Sequence, residues 1–129
     1  MGMTPERCAL CNLHRRYGRS AYCEEHYAWI QSVNKQLNAI NKVLKWERQK
    51  LIKRFWQLSK REKCDVCRVR LTDGRGSDAR NIDHCHDTGI VRGALCRRCN
   101  MTIGWADDDP ERLVNLAIYI EKHAKMAIR

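Results

Sequence analysis

The sequence predicts a small α+β fold stapled by zinc, and three observations predict it. Cysteines fall in close pairs, Cys8/Cys11, Cys64/Cys67 and Cys96/Cys99, with Cys23 three residues before His26. Residues 26–60 contain neither glycine nor proline and repeat apolar side chains at helical spacing. Two short extended runs flank the turn Asp87-Thr88-Gly89, and the second leads into a cysteine pair that opens a helix.

The 129 residues allow one compact domain or two very small ones, with a core modest enough to need staples. Eight cysteines supply them. Secreted chains use such cysteines for disulfides, but pairs two residues apart aim both thiolates at one cation, which favours zinc in a reducing compartment. The chain has no run of 18 apolar residues, no basic-then-apolar leader and no myristoylation pattern, so a soluble, cytoplasmic protein away from membranes is expected. The net charge of +10 is concentrated: residues 35–70 carry twelve basic and three acidic side chains, whereas residues 71–129 balance. A local basic field of that kind attracts a polyanion.

Residues 1–29 read as a zinc-knuckle head. Cys8, Cys11, Cys23 and His26 give three thiolates and one imidazole, a closed structural set; the alternative is a loop with reactive thiols. His14 lacks a paired spacing and is read as a surface residue.

Residues 30–60 read as one long, basic, amphipathic helix. Ile30, Val33, Leu37, Ile40, Leu44, Leu51 and Leu58 form a three-four stripe, interrupted where Glu47 and Arg54 occupy seam positions. Such a helix would reach roughly 50 Å and must find a partner for its stripe. Val43, Trp46, Phe55 and Trp56 widen the face. A homodimer through this helix is expected, with an intramolecular bundle as the alternative. Lys42, Lys45, Arg48 and Lys53 on the outer face are candidate nucleic-acid contacts.

Residues 61–106 carry the chemistry. Cys64, Cys67, Cys96 and Cys99 form a four-thiolate zinc set, which is structural because it leaves no open position. Between the pairs, "ARNIDHCH" and "IVRGAL" read as two strands of a hairpin, and "CRRCNMTIGW" starts a helix. This puts Asp83, His84 and His86 on the hairpin and Asn100 on the helix. Asp83 and Asn100 are hard oxygen donors of the kind a magnesium-like ion takes, and His84 is a base near neutral pH. An ion that polarises phosphate beside a base that activates water is a kit for phosphodiester hydrolysis. Arg92 and Arg97, with Arg98, lie close enough in sequence to contact phosphates. Cys85, the unpaired eighth cysteine, is read as a buried apolar residue behind the hairpin.

Residues 107–129 predict a packing helix. Asp109-Pro110 reads as a cap and first turn, and Leu113, Leu116, Ala117, Ile120, Ala124 and Ile128 share one face.

The segment "IDHCHDTGIVRGALCRRCN", with "CDVC" before it and "IGWADDDPERLVNLAIYI" after it, resembles the recombination endonuclease VII family of bacteriophages, within the His-Me finger or HNH-type ββα-metal nucleases. The resemblance spans residues 64–121. It implies a dimeric, zinc-stapled, metal-dependent endonuclease that cuts branched or duplex DNA in the host cytoplasm, with one structural zinc, or two if the head also binds. By position it gives Asp83 and Asn100 a catalytic Mg²⁺ or Mn²⁺, His84 the role of general base, and His86 a place near the scissile phosphate. The chain departs from the family at Asn81, where a histidine is frequent, and the head has no counterpart there.

Two other readings stand beside this one. A zinc-containing DNA-binding or regulatory protein would keep the hairpin without cleaving. A protein-interaction adaptor would use the helix alone.

Overall fold

The computed structural model describes residues 6–43 and 47–124. The described elements are α1 (Glu24–Val43), α2 (Arg48–Ser59), β1 (Arg80–His84), β2 (Val91–Cys96), α3 (Arg97–Trp105) and α4 (Pro110–Ala124). The two strands pair in one sheet. The chain divides into two compact units: residues 1–60 with the hairpin tip 84–92, and residues 61–83 with 93–129.

In the first unit the expected long helix is two helices. Glu47 has extended backbone, with φ −62° and ψ 124°, and no side-chain cap bond, so the helical ladder restarts at Arg48. The helices run antiparallel. Trp29 lies against Phe55 and Trp56, with ring centroids 6.1 and 4.7 Å apart. The Arg48 guanidinium donates to Asn34 Oδ1 at 2.6 Å and to Asn38 Oδ1 at 3.3 Å. Ile30, Leu37 and Ile40 of α1 and Leu51, Ile52, Phe55 and Leu58 of α2 are buried. Five of the stripe residues read from the sequence, Ile30, Leu37, Ile40, Leu51 and Leu58, are therefore core, and the break before Arg48 lets them bury within one chain. The described helices form the intramolecular bundle that the sequence offered as the alternative. Leu44, Lys45, Trp46 and Ile128 lie outside the described residues, as do the side chains of Lys42 and Val43.

In the second unit a knuckle at Cys64–Arg68 is tied to β2. Asp65 N–H donates to the Ala94 carbonyl at 3.0 Å, and Ala94 N–H donates to Asp65 Oδ2 at 3.0 Å. Gly93 is the residue this pairing requires, because a Cβ there would sit 2.5 Å from Asp65 Oδ2. Gly93→Ala is expected to push the carboxylate off Ala94 and cost about 1–3 kcal/mol, the penalty for unmaking a part-buried hydrogen bond, measured as a lower denaturant midpoint.

The loop before β1 is held by Arg80, whose guanidinium donates to the Arg61 carbonyl and to Asp73. Asp109 caps α4 as expected. Its Oδ1 accepts from Glu111 N–H at 3.0 Å and its carbonyl accepts from Leu113 N–H at 3.2 Å. The helix forms, but it is not the packing helix expected. None of its described residues is buried, and Val114, Leu116, Ile118, Tyr119 and Ile120 are exposed.

Candidate functional site

All eight cysteines are free thiols, and seven of them with one histidine gather into two clusters that could hold zinc. In the second unit, Cys64, Cys67, Cys96 and Cys99 bring their Sγ atoms within 4.8 Å of one another. Cys67 and Cys96 Sγ are 3.8 Å apart, the edge expected of a tetrahedron with metal–sulfur bonds of about 2.3 Å. Cys96 is the N-cap of α3, and Cys99 sits in its first turn with its N–H on Cys96 Sγ.

The electrostatics fit a cation. Burial opposes ionisation of Cys64, but hydrogen bonds from the backbone at Cys96, Cys67 and Val66 outweigh it and lower its pKa to about 6. Burial, followed by the neighbouring Cys96, Cys67 and Cys64 sulfurs, pushes Cys99 up to about 12. One thiolate forms readily and another resists strongly, so a full set of thiolates requires a positive charge at the centre.

In the first unit Cys8, Cys11, Cys23 and His26 converge within the same 4.8 Å. His26 Nδ1 is 3.3 Å from both Cys8 Sγ and Cys23 Sγ. Burial works against the Cys8 thiolate, yet backbone hydrogen bonds from Cys11, Cys23 and Leu10, with the His26 ring, bring it down to about 6. Burial raises Cys23. His14 is exposed, as read from the sequence.

The candidate catalytic residues lie on the hairpin and on α3. Asp83 is the buried position of β1, only 6% exposed, while its neighbour His84 is half-buried. The first strand ends at His84, two residues earlier than expected, so His86 belongs to the turn. There Gly89 has φ +74° and donates to the Cys85 carbonyl at 2.8 Å, and Cys85 N–H donates to Ile90 at 2.9 Å. The His84 and His86 rings lie 4.8 Å apart. Cys85 is half-exposed in this turn rather than buried behind the hairpin, and hydrogen bonds from Thr88 and then the Asp87 backbone lower its pKa. Asn100 lies half-buried in α3.

Arg54, which the sequence marked as a break in the apolar seam, ties α2 to the hairpin tip: its guanidinium donates to the Arg92 carbonyl at 3.1 Å. Arg92 reaches the His84 carbonyl at 3.5 Å. Among the candidate nucleic-acid contacts, Lys53, Arg92 and Arg97 are exposed, and Arg48 is exposed while strapping α2 to α1. Arg98 pairs with Asp78 at 2.7 Å, and that carboxylate raises its pKa. Among the described residues no helix is long and apolar enough to cross a membrane.

Two similar proteins, each called "Gene 59 protein", come from Mycobacterium phages. The chain is 41% identical to the phage L5 protein over 57 residues, covering 42% of this chain and 33% of that protein. It is 51% identical to the phage D29 protein over 43 residues, covering 33% of this chain and 26% of that protein. The chain thus spans a third or less of the relatives it matches. No solved structure matches it. The family described as recombination endonuclease VII matches residues 34–122, which include the four-cysteine cluster, the hairpin, α3 and nearly all of α4. Together with the cysteine pairs and the Asp-His-x-His turn, that span places the chain in the recombination endonuclease VII family.

Proposed function

We propose that the protein is a metal-dependent DNA endonuclease whose β1–β2–α3 segment is a ββα-metal nuclease core. The observation that carries the reading is the pairing, on consecutive residues of β1, of a buried carboxylate, Asp83, with a half-buried imidazole, His84, inside the family-matched segment. The ion would be held by Asp83 and Asn100, whose hard oxygens suit Mg²⁺ or Mn²⁺, and it would supply positive charge to the phosphate and to the departing 3′ oxygen. His84 takes the proton from the attacking water. His86, whose ring lies against that of His84, orients it and stands near the phosphate. Family likeness suggests 5′-phosphate and 3′-hydroxyl ends and a preference for branched DNA.

Zinc at Cys64, Cys67, Cys96 and Cys99 keeps the knuckle joined to the start of α3, and so holds Asn100 on a fixed helix. Phosphate contacts fall to exposed cations, among them Lys53, Arg92 and Arg97. The test is metal-dependent cleavage of plasmid and branched DNA by the purified chain.

Arg54 acts here as a positioning residue, because its bond to Arg92 fixes the turn that carries His84 and His86. Arg54→Ala is expected to lower the cleavage rate about tenfold or more, as small displacements of catalytic groups do, with helix content and zinc unchanged. Circular dichroism and metal analysis beside the assay check this. Wild-type kcat in Arg54→Ala would remove the positioning role.

A further inference from the structure

The ligands of the head precede the family-matched residues, yet they repeat the construction of the four-cysteine cluster. In both places the first cysteine of a knuckle accepts a hydrogen bond from the N–H two residues on, Leu10 to Cys8 Sγ and Val66 to Cys64 Sγ, each at 3.4 Å. In both, the residue after the second cysteine is left-handed without being glycine: Asn12 has φ 53° and Arg68 has φ 67°. Each donates its N–H back to the first cysteine's carbonyl, at 2.9 and 3.1 Å. In both, the remaining pair opens a helix: Cys23 stands immediately before α1 with His26 in its first turn, and Cys96 immediately before α3 with Cys99 in its first turn. A left-handed non-glycine residue is costly without compensation, and its recurrence at one place in two knuckles points to a shared constraint.

The head differs in its fourth ligand. His26 is 6% exposed and turns Nδ1 to the sulfurs, while its ring meets Trp56 of α2 edge-on, with centroids 4.4 Å apart. Trp56 in turn meets Trp29 of α1 edge-on and carries Lys60 Nζ 3.9 Å over its ring. A ligand that is also a packing partner transmits metal binding to the helix pair.

We infer that the head binds its own zinc ion through Cys8, Cys11 and Cys23 Sγ and His26 Nδ1, and that this ion locks the α1–α2 hairpin closed through the His26–Trp56 contact. The site takes a soft, tetrahedral divalent ion in a three-sulfur, one-nitrogen set, distinct from the four-sulfur set of the second unit. The metal-free cluster would leave the imidazole free to turn away from Trp56, loosening the end of the hairpin at which α1 begins. This inference does not rest on the nuclease reading and would stand if no cleavage were found.

The experiment uses the full chain. Native mass spectrometry is expected to show two zinc ions per wild-type chain and one in Cys23→Ser. Cobalt-loaded wild-type protein is expected to show the summed ligand-field bands of one S₃N and one S₄ site. His26→Cys, which keeps four ligands and so protects the fold, is expected to retain two ions and shift those bands toward S₄ alone. Removing zinc with a chelator and restoring it is expected to change tryptophan emission reversibly, and Trp56→Phe to reduce that change by more than half. A single zinc in the wild-type chain that persists in Cys23→Ser would overturn the site. Cobalt bands that are unmoved in His26→Cys would overturn the ligand assignment. An emission response unchanged in Trp56→Phe would overturn the lock.

Discussion

Replacing His84 with alanine is expected to slow DNA cleavage by about 10²–10⁴-fold, the usual contribution of a positioned general base, while leaving zinc content and helix content as in the wild type. The expectation follows from where the side chain stands. The strand ends at His84, so the imidazole sits where the backbone leaves the sheet for the turn, partly exposed and against His86. It is half-buried and is not among the buried residues of the core. Loss of activity without loss of fold is therefore the outcome that separates a catalytic His84 from a structural one. His84→Gln keeps the volume and hydrogen-bonding capacity but cannot accept the proton, and it should be nearly as slow as the alanine variant. Rates close to wild type in either protein would end the general-base assignment.

Cys64→Ser is expected to have the larger structural effect. A structural zinc contributes on the order of 10 kcal/mol or more to folding, comparable to or above the whole stability of a small domain. Cys64 is fully buried, its sulfur accepts from Val66 N–H, and its hydrogen bonds favour the thiolate. Serine cannot replace that thiolate as a zinc ligand. Among the described residues of the second unit the large buried side chains besides the cysteines are Leu71 and Leu95, so little remains to hold the knuckle to β2 once the ion is gone. The variant should lose one zinc and the cooperative unfolding of the second unit, and with them all cleavage. A chelator acting on the wild type should do the same. Calorimetry and metal analysis read both. A Cys64→Ser chain with unchanged zinc and melting behaviour would show that the four thiols are not the staple.

Much of this was legible in the sequence because ligand chemistry is local. Cysteines two residues apart can face one ion only on a tight turn, so both clusters could be assigned from spacing. The hairpin could be placed because Asp-Thr-Gly is a turn signal between two extended runs, although the strand stops at His84 rather than at His86. Asp109-Pro110 gave the start of α4 from capping chemistry alone.

The failures were tertiary. A three-four stripe looks the same on one long helix and on two that fold together, and only the extended backbone at Glu47 distinguishes them. The sequence did mark Glu47 and Arg54 as seam interruptions. One proved to be the break and the other the tie to Arg92. The apolar face of α4 predicted packing, but periodicity cannot say whether a partner surface exists within the chain. The exchange between Asp65 and Ala94, and with it the need for glycine at 93, had no signal beyond the bare residues, because it joins segments 29 positions apart.

The most direct test of the central claim is to compare cleavage of a four-way junction, plain duplex and single strand at one salt concentration, with Mg²⁺ and with chelator, using zinc-loaded wild-type and His84→Ala protein. The account predicts Mg²⁺-dependent products bearing 5′-phosphates from the wild type, with branched DNA preferred, and almost none from the variant. Binding that weakens with salt but yields no metal-dependent nick on any substrate would contradict it and leave a DNA-binding protein in place of a nuclease.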